Sequence, residues 1–236
     1  MFGKNKISAV ILAGGTGTRM AEHMPKQYLE IGGKPILSYS VDAFENAEDI
    51  NEIILVVPQG QVEYCEQTIA RPADYTKITK IIEGGQTRQE SSYKGVISTS
   101  PKNDFVMIHD GARPFVQRQE IRDLAEKLAE NDAVIMAVAV KDTIKKVSGV
   151  SIIEKSLERN CLWAALTPQA FRRELIIDAH EQALKAGYQA TDDAALLESM
   201  GYKVRVTEGD YMNIKITTKE DMVFAEAILA YRRNLN

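Results

Sequence analysis

Apolar residues in this chain come in short unbroken runs, separated by stretches whose apolar positions recur at helical spacing. The first run, Ala9 to Ala13 (AVILA), has no polar interruption, which predicts a strand buried on both faces. Glu52 to Val57 (EIILVV), Lys77 to Ile82, Asp104 to Ile108 (DFVMI) and Ala133 to Val140 read as further strands. Between them the period lengthens. Ile36, Leu37, Ser40, Val41 and Phe44 share one helical face, as do Ile121, Leu124, Ala125 and Leu128. Helices are also expected over Val62 to Ala70, Gln89 to Thr99, Arg172 to Lys185 and Thr218 to Tyr231. The last opens with Thr217-Thr218-Lys219-Glu220-Asp221, which offers a capping box in two registers.

Strands alternating with helices at this spacing predict an α/β fold, a doubly wound and mostly parallel sheet with ligand loops at the strand carboxyl ends. With no internal repeat and no low-complexity linker, residues 1–236 read as one domain. Lys141 to Cys161 interrupts the rhythm. A turn at Ser148-Gly149 lies between short β-prone pieces, so a hairpin extending from the sheet is expected. Two strands alone are marginal, and a partner subunit is a natural surface for them to pack on.

Composition narrows the function by exclusion. Net charge is −4 with both signs interspersed, so neither nucleic acid nor an anionic membrane is an expected partner, and any cationic site must be local. Cys65 and Cys161 have no metal or redox spacing, which fits a reduced cytoplasm. No apolar run reaches transmembrane length, and Met1 to Lys6 is too short for a targeting peptide. A cytoplasmic location is the expectation.

The candidate chemistry begins where the first strand stops, at Gly14-Gly15-Thr16-Gly17-Thr18. Small side chains let backbone N–H groups approach a ligand, and successive amides form a concave anion site. Arg19 adds a planar fork of donors and Lys26 a compact charge. This combination suits a polyphosphate, the bland alternative being a tight turn with two surface cations. A P-loop would need Gly-Lys-Ser/Thr where Gly17-Thr18-Arg19 stands, and the dinucleotide fingerprint would need a small residue in place of Met20. Asp110, directly after a buried strand, is placed either to hold Mg²⁺ against phosphate oxygens or simply to cap a turn.

AGGTGTRM followed by PKQYLEIGGKPIL resembles the signature of nucleotidyltransferases that couple a nucleoside triphosphate to a sugar or polyol phosphate. The PKQY form is similar to that of the polyol-phosphate cytidylyltransferase family. HDGARPF resembles that family's His-Asp-Ala-Ala-Arg-Pro; Gly111 in place of an alanine implies a looser turn. The Thr-Asp-Asp-Ala and Arg-Asn-Cys-Leu-Trp strings favour 2-C-methyl-D-erythritol 4-phosphate as acceptor, with ribitol 5-phosphate the alternative. A silent nucleotide-binding module on the same fold is a third possibility, which loss of Arg19, Lys26 or Asp110 would favour; all three are present.

The resemblance implies a Rossmann-like nucleotidyltransferase fold and a role for most of these residues. Arg19, Lys26, Arg159 and Lys215 become the catalytic cations. CTP is expected on Ala13, Gly14, Gly15, Gly17, Gly85, Gln86, Arg88 and Ser91. The acceptor falls to Asp110, Arg113, Thr143, Arg159, Thr167, Thr191, Asp192 and Lys215, with Asp110 also the Mg²⁺ ligand and Asn213 near the metal. His109 reads as structural, because an acceptor phosphate is already an anion and needs no base. Residues 139–162 are expected to form an arm for dimerisation and acceptor binding, delivering Arg159 to the neighbouring subunit of a homodimer.

Overall fold

A computed structural model describes residues 6–14 and 25–234. Gly15, Gly17 and Arg19 therefore lie outside the described residues. In chain order the strands are β1 (Ile7–Leu12), β2 (Glu30–Ile31), β3 (Lys34–Pro35), β4 (Ile50–Val57), β5 (Ile78–Glu83), β6 (Phe105–Asp110), β7 (Ala133–Ala139), β8 (Lys145–Val147), β9 (Ile153–Ser156), β10 (Trp163–Arg172) and β11 (Arg205–Glu208). The helices are α1 (Ile36–Glu45), α2 (Val62–Cys65), α3 (Arg88–Ser98), α4 (Arg118–Lys127), α5 (Arg173–Ala186), α6 (Asp193–Ser199) and α7 (Lys219–Arg233), with a π turn, Glu66–Ala70, continuing α2.

Seven strands form the central sheet in the order β11-β7-β10-β6-β1-β4-β5. β1 pairs in parallel with β4 and β6, while β10 runs antiparallel to both β6 and β7. Unbroken apolarity in β1 has the expected cause. Ala9 and Ile11 enter one core layer with Leu37, Val41 and Phe44 of α1 and Leu124 of α4. Val10 and Leu12 point the other way, into a layer with Val96 of α3, Ile176 of α5 and Leu197 of α6. A third cluster, Ile31, Ile36, Phe115, Ile216 and Ala225, seats α7 against the small β2–β3 ribbon.

The expected strands and helices are present, with shifts of a residue or two at their ends. One shift matters: β6 continues through His109 and Asp110, so both belong to the strand and not to the turn after it. Of the two capping registers, the chain uses Thr218 with Asp221, whose carboxylate accepts from Thr217 N at 2.7 Å and Thr218 N at 2.8 Å. Sequence reasoning missed β10, α6 and β11. Pro168 lies inside β10, and proline ordinarily argues against an interior strand; the β7–β10 ladder is irregular between Ala165 and Gln169, which accommodates it.

The hairpin is real but forms its own two-stranded ribbon, β8 with β9. It grows from the β7–β10 pair, where Val140 N donates to Leu162 O at 3.0 Å. Val147, Val150, Ile152 and Ile153 on it are all exposed, Val150 to 76%. The Gly111 turn is not loose. Gly111 N donates to Leu12 O at 2.8 Å, and a Cβ there would come within 2.8 Å of Leu37 Cδ1.

Gly95 sets how closely α3 lies on the sheet: a Cβ would overlap Val10 Cγ1 and reach 2.9 Å from Val56 Cγ2. Alanine gains about 1 kcal/mol in helix propensity over glycine, but overpacking a tight core costs about 1–3 kcal/mol. Gly95→Ala should therefore lower stability in chemical denaturation. A gain would show that this contact does not set the helix–sheet spacing.

Candidate active site

The polar ends of β1, β5 and β6 meet at the carboxyl edge of the sheet. His109 and Asp110 close β6, and their environments differ sharply. His109 is fully buried against Phe44, ring centroids 5.1 Å apart. Its Nε2 lies 3.1 Å from Arg113 O, an atom that only accepts, so Nε2 carries the proton. Nδ1 then accepts from the Thr167 hydroxyl at 3.1 Å, whose oxygen accepts Asp110 N–H at 3.0 Å. Burial holds the imidazole pKa down to about 4 despite the neighbouring Asp110. The ring is a neutral brace between β6, its turn and β10, as the sequence reading expects.

Asp110 is buried at 7% exposure and surrounded by cations. Arg88 Nε lies 3.1 Å from Oδ1, Lys215 Nζ 2.8 Å from Oδ2 and Arg113 Nε 3.8 Å from Oδ2. Burial alone would raise its pKa, but Arg88, then Lys215 and Arg113, hold it well below the usual carboxylate range. Lys26 joins from the first loop. Its Nζ donates to Ile216 O at 3.0 Å, next to Lys215, and the following Gln27 Nε2 donates to Ala13 O at 2.6 Å, tying this turn over the end of β1. Among the described residues, Arg88, Arg113 and Lys215 outnumber the carboxylates they touch, Asp110 and Asp193, and Lys26 adds a further positive charge to this edge.

The GGQTRQES loop caps α3. Thr87 Oγ1 accepts Glu90 N at 3.1 Å, Glu90 Oε2 accepts Gln86 N at 2.8 Å and Ser91 Oγ accepts Gly85 N at 3.0 Å. A Cβ on Gly84 would lie 2.7 Å from Ser91 Oγ, so glycine is a packing requirement there. A Cβ on Gly14 would lie 3.4 Å from the same oxygen, which brings the end of β1 beside this loop.

Opposite lie Thr167, Asn213 and the Thr191-Asp192-Asp193 string. Asn213 is fully buried, and its Nδ2 donates to Thr167 O at 3.0 Å, so it ties the Lys215 segment to β10. Asp192 caps α6, accepting Ala195 N at 3.0 Å and Gln169 Nε2 at 2.8 Å, and Thr191 is exposed beside it. The structure thus brings together Gly14, Lys26, Gly85, Gln86, Arg88, Ser91, Asp110, Arg113, Thr167 and Lys215. Thr143 and Arg159 stay on the exposed arm, Arg159 donating to Lys141 O at 2.7 Å beside an open hollow of about 480 Å³ with Trp163 and Tyr211. Sequence reasoning gave no role to Asp193, Gln27 or Gln169, all of which are buried and hydrogen-bonded.

Among the described residues no cluster of three His, Cys, Asp or Glu side chains could cage a metal. The donor set fits Mg²⁺ in another way. A carboxylate offers about four lone-pair positions, more than the contacts on Asp110 consume, and Mg²⁺ characteristically combines one such carboxylate with substrate phosphates.

Residues 7–231 match the family model described as IspD, 2-C-methyl-D-erythritol 4-phosphate cytidylyltransferase. A 2-C-methyl-D-erythritol 4-phosphate cytidylyltransferase of Geobacillus thermodenitrificans is 47% identical over 224 residues, covering 95% of this chain and 97% of the relative. Among solved structures, 4-diphosphocytidyl-2C-methyl-D-erythritol synthase from Anaerococcus prevotii superimposes with a TM-score of 0.86 at 34% identity, covering 96% of this chain and 97% of that one. The cytidylyltransferase from Thermus thermophilus gives 0.77 at 31%, covering 94% and 98%.

His109 makes the fold acid-sensitive. It is neutral when folded and titrates near 6.5 when unfolded, so its contribution is complete above about pH 6.5 and is lost as pH falls towards about 4. The loss across that window is about 3 kcal/mol. Urea midpoints followed from pH 7 to 4 should fall more steeply for wild type than for His109→Gln; parallel slopes would contradict the neutral-brace assignment.

Proposed function

The chain belongs to the 2-C-methyl-D-erythritol 4-phosphate cytidylyltransferase family, and we propose how its residues divide the work of that reaction. It transfers CMP from CTP to 2-C-methyl-D-erythritol 4-phosphate, releasing pyrophosphate, a step of non-mevalonate isoprenoid biosynthesis. The relatives above are all methylerythritol phosphate enzymes, and nothing favours ribitol 5-phosphate as acceptor.

The observation that carries the mechanism is the buried Asp110 carboxylate within its ring of cations, beside the end of β1 and Lys26. An acceptor phosphate oxygen attacks the α-phosphorus in line; the new P–O bond forms as the bond to the β-phosphate breaks, and the electron pair leaves on pyrophosphate. The acceptor phosphate is already anionic, so no general base acts, consistent with the neutral His109. Catalysis is positioning and charge stabilisation. Lys26 and Lys215, with Arg19 from the glycine loop, neutralise charge gathering on the α-phosphate and leaving oxygens. Gly85, Gln86 and Ser91 face the base, and Gly14 admits the triphosphate. Asp110, with phosphate oxygens, would hold Mg²⁺, which supplies Lewis-acid neutralisation of those oxygens.

Thr143 and Arg159 belong to the acceptor site of a neighbouring subunit. The support is the arm itself: a two-stranded ribbon with four exposed apolar side chains requires a surface to cover them. A two-fold dimer in which each arm crosses to its partner supplies that surface. We place the enzyme in the cytoplasm: both cysteines are free, and among the described residues no helix is long and apolar enough to span a membrane.

Pyrophosphate release with CTP and each polyol phosphate tests the assignment; methylerythritol phosphate should dominate, and chelator should abolish turnover. Lys26→Ala and Lys215→Ala should each lower kcat by about 10²-fold or more; Lys26→Ala should retain wild-type thermal stability within a few degrees, whereas Lys215→Ala should lower it by removing a partner of the buried Asp110. Near-normal turnover in both would contradict the roles given to these cations.

Lys215→Ala and Arg159→Ala, each nearly inactive alone, should complement when refolded together. Random two-fold pairing puts both lesions in one site of each heterodimer and none in the other, restoring roughly a quarter of wild-type activity. Heterodimers that form and stay inactive would show that Arg159 serves its own subunit.

A further inference from the structure

Adjacent aspartates of the Thr191-Asp192-Asp193 string turn opposite ways. Asp192 caps α6, whereas Asp193 points inward and is 1% exposed. A carboxylate that deep is costly unless charges and hydrogen bonds compensate it, and two side chains supply them. Arg88 Nη1 of α3 lies 2.8 Å from Oδ2 and Ser92 Oγ of α3 donates to Oδ1 at 2.5 Å, with the His180 ring of α5 packed nearby, its Nε2 3.5 Å from Oδ1. Burial opposes its ionisation, but Arg88 outweighs this and keeps it charged.

The same guanidinium reaches Asp110 through its Nε at 3.1 Å. Arg88 is therefore gripped by two carboxylates from separate segments, one at the reaction centre and one behind it. A planar fork held on two nitrogens has little freedom left. The arrangement links three parts of the site: the start of α3 with its base-facing loop, Asp110 at the end of β6, and the loop carrying Thr191. Without Asp193, Arg88 would keep one anchor and Asp110 would lose the fixed orientation of its partner.

We propose that Asp193 is a positioning residue for nucleotidyl transfer, fixing the Arg88 guanidinium and through it the Asp110 carboxylate and the Thr191–Asp192 loop. This rests on the site assigned above. Asp193 itself touches no substrate; it acts through Arg88.

Kinetics of the full chain with CTP and methylerythritol phosphate test this. Asp193→Asn keeps the shape and removes the charge, and kcat should fall about ten- to a hundredfold, the scale of small misplacements at a reacting centre. In an Arg88→Lys background the same substitution should have almost no further effect, because its route is already cut. Independent, multiplying losses would mean a merely structural role and overturn the proposal, as would wild-type kinetics for Asp193→Asn. Should that variant not fold, Ser92→Ala serves instead. It removes one donor to Asp193 and should cost about fivefold, again only when Arg88 is present; wild-type rates, or the same loss with Arg88→Lys, would overturn the proposal.

A readout independent of turnover separates this from the assigned reaction. The Arg88 Nε–H should give a sharp, slowly exchanging NMR signal in the wild-type protein that broadens in Asp193→Asn or Ser92→Ala. A wild-type signal already broad, or one unchanged in the variant, overturns the clamp. Absence of pyrophosphate release from wild type would instead overturn the assigned reaction, and the NMR comparison would still decide the clamp.

Discussion

The site depends on a carboxylate that would be intolerable without its neighbours. Asp110 sits at the end of a fully buried strand, and an unpaired charge there would cost several kcal/mol. Arg88 comes from α3, Arg113 from the turn after β6 and Lys215 from the segment before α7. None of these segments is adjacent to all the others in sequence, so a single carboxylate gathers distant parts of the chain. Its net contribution to stability is modest, because desolvation offsets most of the attraction. Its value is geometric: cations that would otherwise wave in solvent are held at set positions before a polyphosphate arrives.

β1 makes that gathering possible. Its alternate side chains feed two core layers, so it cannot slip without exposing one of them. Its neighbours β4 and β6 are thereby locked in register, with Leu12 opposite Val56 on one side and Asp110 on the other. The loops at that edge inherit the precision of a packed core. Even the small residues contribute through contact: Gly84 and Gly111 are pressed by Ser91 and Leu37, so what looks in the sequence like freedom is close packing.

What could be read in advance follows from this division. Strands β1, β4, β6 and β7 announced themselves because burial on both faces leaves an apolar run, as in EIILVV, whereas the short, largely exposed β11 left none. The longer helices declared themselves through one-sided periodicity. The candidate-site strings stood out because glycine clusters and cations next to a buried strand have few other uses, and because they resemble a known family. β10 was not legible, since Thr167, Pro168 and Gln169 make its centre look like a loop; their burial comes from β6 and β7, far away in the sequence. Asp193 was hidden for a related reason. Nothing local distinguishes it from Asp192, and only the folded chain shows which of the two turns inward. Pairings of this kind exist in three dimensions alone.

The single reversed strand has a consequence for where the arm can be. A chain leaving β7 at the carboxyl edge and entering another parallel strand would have to cross the molecule to the opposite edge first. Because β10 runs the other way, the chain re-enters the sheet from the edge it has just left. Whatever lies between the two strands must then hang over that edge as a closed loop, rooted by Val140 and Leu162. The parity of one strand thus decides that the excursion stands on the same rim as the candidate site. An insertion of any length at this point would be displayed beside the candidate site, which makes it a natural place for a polypeptide to acquire a part that reaches beyond its own fold.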